Sequence, residues 1–343
     1  MKTTYWGPLL LRSLRGTALF VVPLALIAVL GDTLASPADL RVIVNFIVTL
    51  VLVLAIQSFS GNSGIVSFGH VGFMGVGAYV AAILTIPAAT KASILPALPS
   101  FLRDHTLSLV PTVLISAAIG ALAAAAFGLA LTRMREGAMA MATIGVLLIF
   151  FVIFDNWDET TRGATGLYGV PQSTTVYAAL AFAAITLFIS RAFRESNSGL
   201  KLRASRTDPV AAEALGADVV ALRFRAWVLS GALMGMGGAL WAQFNIAFGP
   251  RQFFFAQTFN LLAMLVVGGL GSVSGAVVGA FTITAVFELM RRAEEQIDVP
   301  GLTHIVVALL ILLVLYRRPN GIMGLTEADE AIARRLRARR RGG

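Results

Sequence analysis

Residues Arg203–Asp218, RASRTDPVAAEALGAD, form one of the few strongly polar runs in a chain that is otherwise one apolar segment after another. Asp208-Pro209 reads as a helix start. The aspartate caps free N–H groups, and proline suits the first turn because it has no N–H to leave unpaired. Gly216 reads as the stop. The spacing predicts a helix over Pro209–Leu215, well below the roughly 12–15 residues at which an isolated helix is marginal in water. Such a helix must lean on something. Val210 and Ala214 share one face, and Ala211 and Leu215 another. The run is either an ordinary connector or a docking element.

Outward from this run, composition fixes the class. Of 343 residues, 57% are hydrophobic and 13% charged, where a soluble domain carries roughly 25% charged residues. Mean hydropathy is +0.82. This excludes a soluble globular domain and predicts an all-α integral membrane protein. Cysteine is absent, which excludes disulfides, thiolate catalysis and Cys-ligated metal. A membrane helix needs about 20 apolar residues. That ruler places spans near 17–34, 41–59, 65–87, 108–131, 137–154, 174–191, 221–243, 256–270, 275–290 and 301–316, so about ten transmembrane helices are expected. The eighth and ninth are short and joined by Gly268–Gly275, which makes broken or re-entrant half-helices an alternative for them. Thr33-Leu34-Ala35-Ser36 would pass for a signal-peptide cleavage site, but the many spans that follow favour a first span that stays attached.

An even number of spans puts both termini on one side, and the charges agree. That side gathers Lys2, Arg12, Arg15, Arg133, Arg135, the basic residues of Arg191–Arg225 and those of the C-terminal tail, 20 in all, against eight acids, Glu327 among them, so it nets +12 and the other side −3, which together make the chain's net +9. By the positive-inside bias it is cytoplasmic. The expected organisation is a cytoplasmic N-terminus at 1–16, a transmembrane domain at 17–316 with a cytoplasmic loop at 192–220, and a basic cytoplasmic tail at 317–343. The arginines at Arg334–Arg341 suit anionic lipid heads. The aromatic interleaving of a nucleic-acid surface is missing, so no nucleic acid is expected.

A second stretch, Ser60–Ala81, SGNSGIVSFGHVGFMGVGAYVA, holds Gly61, Gly64, Gly69, Gly72, Gly75 and Gly77, with Asn62, Ser63, Ser67, His70 and Tyr79 among them. Such glycines allow either close helix packing or a helix break inside the membrane. A break frees backbone groups that are tolerable only against protein or a water-filled path. His70 is ionisable within an apolar span, where such residues are costly and usually functional. The alternatives for it are a hydrogen bond to a neighbouring span or a place on a solute path. Asn62, Ser63, Ser67, Gly69, His70 and Gly72 are therefore the candidate path or gating residues.

Other features are weaker. Asp155–Pro171 reads as an outside loop rich in turn residues, fit to dock a partner or only to connect. Gly231, Gly235, Gly237 and Gly238 have the small-xxx-small spacing of a packing face. Phe253-Phe254-Phe255 reads as an interfacial or packing cluster. No phosphate-cradling G-x-x-x-x-G-K-[ST] loop, no H-E-x-x-H and no Ser nucleophile elbow occurs, so neither ATP hydrolysis nor metal chemistry is expected in this chain. The spans also lack the paired acids of a proton-driven carrier.

The SFGH-x-x-F-x-G-x-GAY core of Ser60–Ala81, GATGLYGVP at Gly163–Pro171, AAEALG within Pro209–Gly216 and VVGGLGSVSG at Leu265–Gly275 occur together and in order. In this the chain resembles the permeases of branched-chain amino acid ABC importers, most closely the M-type subunit, over about residues 40–320. The resemblance implies a permease bundle paired with a second permease chain as a heterodimer. It also implies two cytoplasmic ATPase subunits that carry the ATP, a periplasmic solute-binding protein and a place in the bacterial inner membrane. It makes Thr207, Asp208, Pro209, Ala212, Glu213, Ala214, Leu215 and Gly216 the coupling element that meets the ATPase. Relatives with these motifs carry branched-chain amino acids, urea, short amides or aromatic acids. The competing class is a secondary transporter or channel that works without an ATPase.

Overall fold

The computed structural model describes residues 3–297 and 300–330. Among them the chain forms fifteen α-helices. In order these are α1 (Thr3–Leu34), α2 (Pro37–Ser63), α3 (His70–Thr85), α4 (Ala88–Ile94), α5 (Ser100–Arg103), α6 (Leu109–Leu131), α7 (Glu136–Asn156), α8 (Asp158–Thr161), α9 (Val176–Glu195), α10 (Asn197–Ser205), α11 (Pro209–Ala214), α12 (Val219–Asn245), α13 (Phe255–Gly268), α14 (Val273–Ile297) and α15 (Leu302–Arg317). The described residues contain no strand beyond one isolated bridge, Leu167 to Phe248.

Caps set the helix ends. Ser36 accepts the Asp39 N–H ahead of Pro37 at the start of α2, and Asp218 accepts the Ala221 N–H at the start of α12. Gly64 ends α2 in the left-handed region at φ 78°, a conformation that glycine adopts without Cβ strain.

Among the described residues, seven helices are long and apolar enough to cross a membrane: α1 over Arg12–Leu34, α2, α6, α7, α9, α12 and α14. An eighth is α3 with α4 if that pair, bent by 117°, counts as one span. The expected ten are therefore not met by this measure. Gly269, at φ 121°, stops α13 after 14 residues. The 16-residue α15 lies between Gly301, at φ 92°, and Arg318-Pro319. The span expected at 65–87 begins only at His70, because residues 64–69 are not helical. Asn62 and Ser63 consequently belong to the end of α2. The segment expected to be short at 275–290 is instead part of the 25-residue α14. Residues 318–330 do not trail away as a tail: Ile322 and Met323 donate N–H groups to Val267 and Gly268 at 2.9 Å. The arginines at Arg334–Arg341 lie outside the described residues.

The core is built around α12. A Cβ placed on Gly235 would lie 2.4 Å from the Ser116 carbonyl oxygen of α6, and one on Gly238 would lie 2.0 Å from that of Met74 on α3. Only glycine permits backbones this close. Side-chain hydrogen bonds then tie the same helices. Trp227 Nε1 donates to Ala124 O at 2.8 Å, and Ser230 Oγ to Ala55 O at 2.6 Å. The packing reading of these glycines holds. The phenylalanine cluster is also packing: Phe253 is fully buried and Phe254 stacks on Phe151 at 4.3 Å.

At the end of the bundle away from α10 and α11, Lys91 is fully buried. Its Nζ donates to the carbonyls of Ile83, Leu102 and His105, at 3.2, 2.6 and 2.5 Å. This ammonium pins the α3–α6 connection by satisfying three carbonyls that would otherwise lack partners.

The α12 contacts predict a sharp positional effect. Gly238→Leu drives a side chain into Met74 backbone and should destabilise the protein by about 3 kcal/mol or more. Gly145→Leu, where an added Cβ meets nothing within 4 Å, should be neutral. Apparent melting of the two variants in detergent checks this, and equal melting would refute it.

Candidate functional site

The predicted short helix is present as α11. Asp208 Oδ1 accepts the Ala211 N–H at 3.0 Å, Pro209 occupies the first position, and Gly216 follows in the left-handed region at φ 80°. The Ala217 N–H returns to Ala212 O at 3.0 Å and the Gly216 N–H to Glu213 O at 2.9 Å, which closes the C-terminus. Ala212 alone on this helix is buried. Val210 and Leu215 are 75% and 88% exposed, and Thr207, Glu213 and Ala214 are exposed beside them. The sequence predicts a helix that must lean on something; within this chain it leans through one alanine. What it offers outward is two bare aliphatic side chains around a carboxylate.

The helix is not loosely tethered. Ser196 Oγ accepts the Gly199 N–H at 3.2 Å, so α10 leaves α9 through a capped corner. On the other side, Arg223 in the second turn of α12 pairs with Glu136 at the start of α7 at 2.8 Å. Just before α11, Arg206 reaches Gly64: a Cβ on Gly64 would lie 2.7 Å from Arg206 Cγ. The polar loop and the broken segment are thus in contact, which the sequence did not indicate.

In the broken segment, Asn62 Nδ2 donates to Ser58 O at 2.9 Å, while its Oδ1 is buried without a partner. Ser63 Oγ donates to Phe59 O and accepts the Ile65 N–H, steadying the turn. Ser67 Oγ lies 2.7 Å from His70 Nδ1. The His70 ring is fully buried among Phe59, Phe73 and Trp227, with centroids 5.6, 5.9 and 4.7 Å away, and its Nε2 has no partner. Both polar atoms of the Gln57 amide and Ser60 Oγ are likewise buried and unpartnered. Gly69 and Gly72 face α7: an added Cβ would lie 2.8 Å from Thr143 O and 2.2 Å from Phe150 Cδ2 respectively. In this conformation the six candidates pack against α7, α12 and their own turn. The residues between them behave differently, since Val66 and Phe68 line a cavity beside α13.

One cluster was not anticipated. Glu327 is 3% exposed and receives five polar contacts. It pairs with Arg194 at 2.7 Å and Arg191 at 3.3 Å. It also accepts from Val273 N, Ser274 N and Ser274 Oγ at 2.9, 3.0 and 2.6 Å. A carboxylate at a helix N-terminus meets free N–H groups and the positive end of the helix dipole. Arg194 adds bonds to Gly271 O and Leu325 O, and Asp329 pairs with Arg191 at 2.8 Å. The knot joins α9, the α13–α14 turn and residues 318–330. Arg203 of α10 sits beside it. Burial pulls its guanidinium below the ordinary arginine value, and the carboxylates of Glu327, Glu330 and Glu195 oppose that pull. The only hint in the sequence was an acidic run, Glu327–Glu330, set among basic residues.

Removing Glu327 takes from buried Arg194 its paired carboxylate, from Arg191 one of three, and from the start of α14 its acceptor. Glu327→Ala should cost about 3–5 kcal/mol, measured as lost thermal stability of the purified protein. Glu330→Ala, at the exposed rim, should change it by less than about 1 kcal/mol.

The family described as "Branched-chain amino acid transport system / permease component" matches residues 40–315. The high-affinity branched-chain amino acid transport system permease protein LivM of Salmonella typhimurium is 23% identical over 342 residues, spanning 90% of this chain and 75% of the relative. LivH of Escherichia coli (strain K12), a permease protein of the same kind of system, is 31% identical over 154 residues, 44% of this chain and 46% of the relative. The nucleoside ABC transporter permease protein NupC of Lactococcus lactis is 25% identical over 255 residues, 66% of this chain and 75% of the relative. No solved structure matches. With most of its length matched by that family and seven apolar helices of spanning length, the chain is a multi-pass membrane protein belonging to the branched-chain amino acid transport permeases.

Proposed function

We propose that this chain is the membrane permease subunit of an ATP-driven importer for a branched-chain amino acid or a related small polar solute. It pairs with a second permease chain, rests on two cytoplasmic ATPase subunits and receives solute from a periplasmic binding protein. ATP is bound and hydrolysed on the partners. The observation that carries this reading is α11: a doubly capped helix, tied back to the bundle, that presents Val210, Glu213 and Leu215 outward. Exposed aliphatic side chains on a polar loop suit a protein partner.

In this reading the chain crosses the inner membrane ten times, with α3, α13 and α15 as its shortest crossings and both termini in the cytoplasm. The meeting of the α9 end, the α13–α14 turn and residues 318–330 supports that arrangement, since an up-and-down chain returns these segments to one side. Thr207–Gly216 then acts as the lever. ATP binding closes the ATPase dimer and displaces α11, and the bundle alternates the side to which it is open. Arg206 passes the displacement to the Gly64 turn. Asn62, Ser63, Ser67, Gly69, His70 and Gly72 form the hinge that yields. The buried unpartnered atoms of Gln57, Asn62 and His70 support this role, because such groups are costly where they are and gain from rearrangement.

Two measurements test the reading. Glu213→Arg and Leu215→Asp alter only exposed side chains, so the permease should insert normally. ATPase co-purification and ATP-driven uptake should each fall about tenfold or more; wild-type values for both variants would sink the lever. Orientation is tested by single cysteines in this Cys-free chain. A cysteine at Glu159 should label from outside with a membrane-impermeant reagent, and one at Thr207 only from the cytoplasm.

A further inference from the structure

A groove of about 340 Å³ runs between α1, α2 and α14. Val42 and Phe46 of α2 line it, with Phe281, Ala285 and Leu289 of α14 opposite and Ile27 of α1 at its side. Phe46 meets Phe281 edge-on, with ring centroids 5.9 Å apart. Along α14 the groove runs from Phe281 to Arg292, a rise of about 16 Å. Phe281 and Leu289 are exposed, so it opens outward from the bundle.

Its mouth is charged. On α14 the sequence turns from apolar to charged at Glu288, and on α2 it turns from charged to apolar after Arg41. Arg292 links these two points. Its Nε donates to Glu288 at 2.7 Å and its Nη2 donates to Asp39, in the first turn of α2. Two spanning helices thus leave the hydrocarbon at one level, where long cationic side chains reach for water. The groove straddles that level, apolar on one side of it and charged on the other.

Three features select the occupant. The walls belong to membrane-spanning helices, so the apolar part takes a hydrocarbon chain. Arg292 is half-exposed, and no described residue accepts from its Nη1. A guanidinium fixed on its other nitrogens therefore keeps two N–H groups for an anion, and phosphate oxygens match that geometry. The third feature is charge. The linked cluster holds the carboxylates of Asp39, Glu288 and Glu295 against the guanidinium groups of Arg291 and Arg292. A headgroup of net negative charge would be repelled there. A headgroup with an ammonium beside its phosphate is matched at both ends. A primary ammonium donates three hydrogen bonds, whereas a quaternary one has no N–H to give.

We infer that this groove is a binding site for a phospholipid with a primary-ammonium headgroup. Its phosphate sits on Arg292 Nη1, its ammonium on Asp39, and one acyl chain lies between Phe46 and Phe281. The site stands apart from the importer reading, since nothing in it depends on a partner chain.

The test uses the full-length chain purified from membranes in detergent, read by native mass spectrometry. The probes are dioleoyl phosphatidylethanolamine, phosphatidylcholine and phosphatidylglycerol in equal amounts. The protein should retain one ethanolamine lipid about tenfold over either of the others. Arg292→Gln and Asp39→Asn replace half-exposed side chains, so both variants should fold, and each should lower that retention about tenfold. Ala285→Phe should abolish it by filling the groove. An ethanolamine lipid with a photoreactive acyl chain should label the peptides of α2 and α14 that hold Phe46 and Phe281. Equal retention of the three lipids, preference for the choline or glycerol lipid, or retention of none would each overturn the inference. So would wild-type retention by both Arg292→Gln and Ala285→Phe, or labelling confined to other helices. If a variant does not fold, the wild-type competition and the labelling still decide.

Discussion

Backbone-to-backbone contact along α12 sets the spacing of the other helices. Between helices in lipid there is no hydrophobic driving force, so close van der Waals approach and interhelical hydrogen bonds carry association. Gly231 and Gly235 admit α6, Gly238 admits α3, and Gly237 admits Leu52 of α2. A second seam of the same kind joins α13 to α14, where a Cβ on Gly268 would lie 1.9 Å from Gly275 O and one on Gly279 would lie 1.9 Å from Met264 O. The bundle thus has two tightly jointed seams. The cavity lined by Val66 and Phe68 lies where α2 of the first faces α13 and α14 of the second.

Charge is handled in the opposite manner at the two ends. Toward α10, Glu327 is enclosed by two arginines and a helix N-terminus, so three segments distant in sequence are held by one carboxylate. Such a desolvated group is costly to bury and more costly to break. It fixes geometry where the α13–α14 turn must keep its place. At the far end Lys91 binds only carbonyl oxygens. That makes it a rigid corner for the short helices α4 and α5, which could not persist alone.

Much of this was legible in the sequence. Apolar length and the low charge content gave the membrane class, and Asp208, Pro209 and Gly216 marked α11 almost to the residue, because caps act locally. Small-residue spacing marked the α12 face for the same reason. What failed depended on context. Apolar runs do not reveal where a helix stops when glycine dihedrals decide it, so a break was one of two readings for Ser60–Ala81 while the span was still placed from 65, and α14 was read as shorter than it is. Glu327 was counted only as a charge on one side, since nothing local shows that two arginines more than a hundred residues away converge on it. The cavity beside α13 could not be foreseen at all, because its polar residues come from four helices with one or two each.

The contact of Arg206 with Gly64 has a consequence in the language of linkage. It joins the residue preceding α11 to a turn whose next residues, Val66 and Phe68, form a wall of the cavity beside α13. If a partner bound at α11 shifts that wall, it changes the free energy of whatever the wall encloses. Equilibrium coupling is reciprocal. An occupant of the cavity must then change the partner's affinity for α11 by the same factor, and the lever becomes a sensor read from its other end.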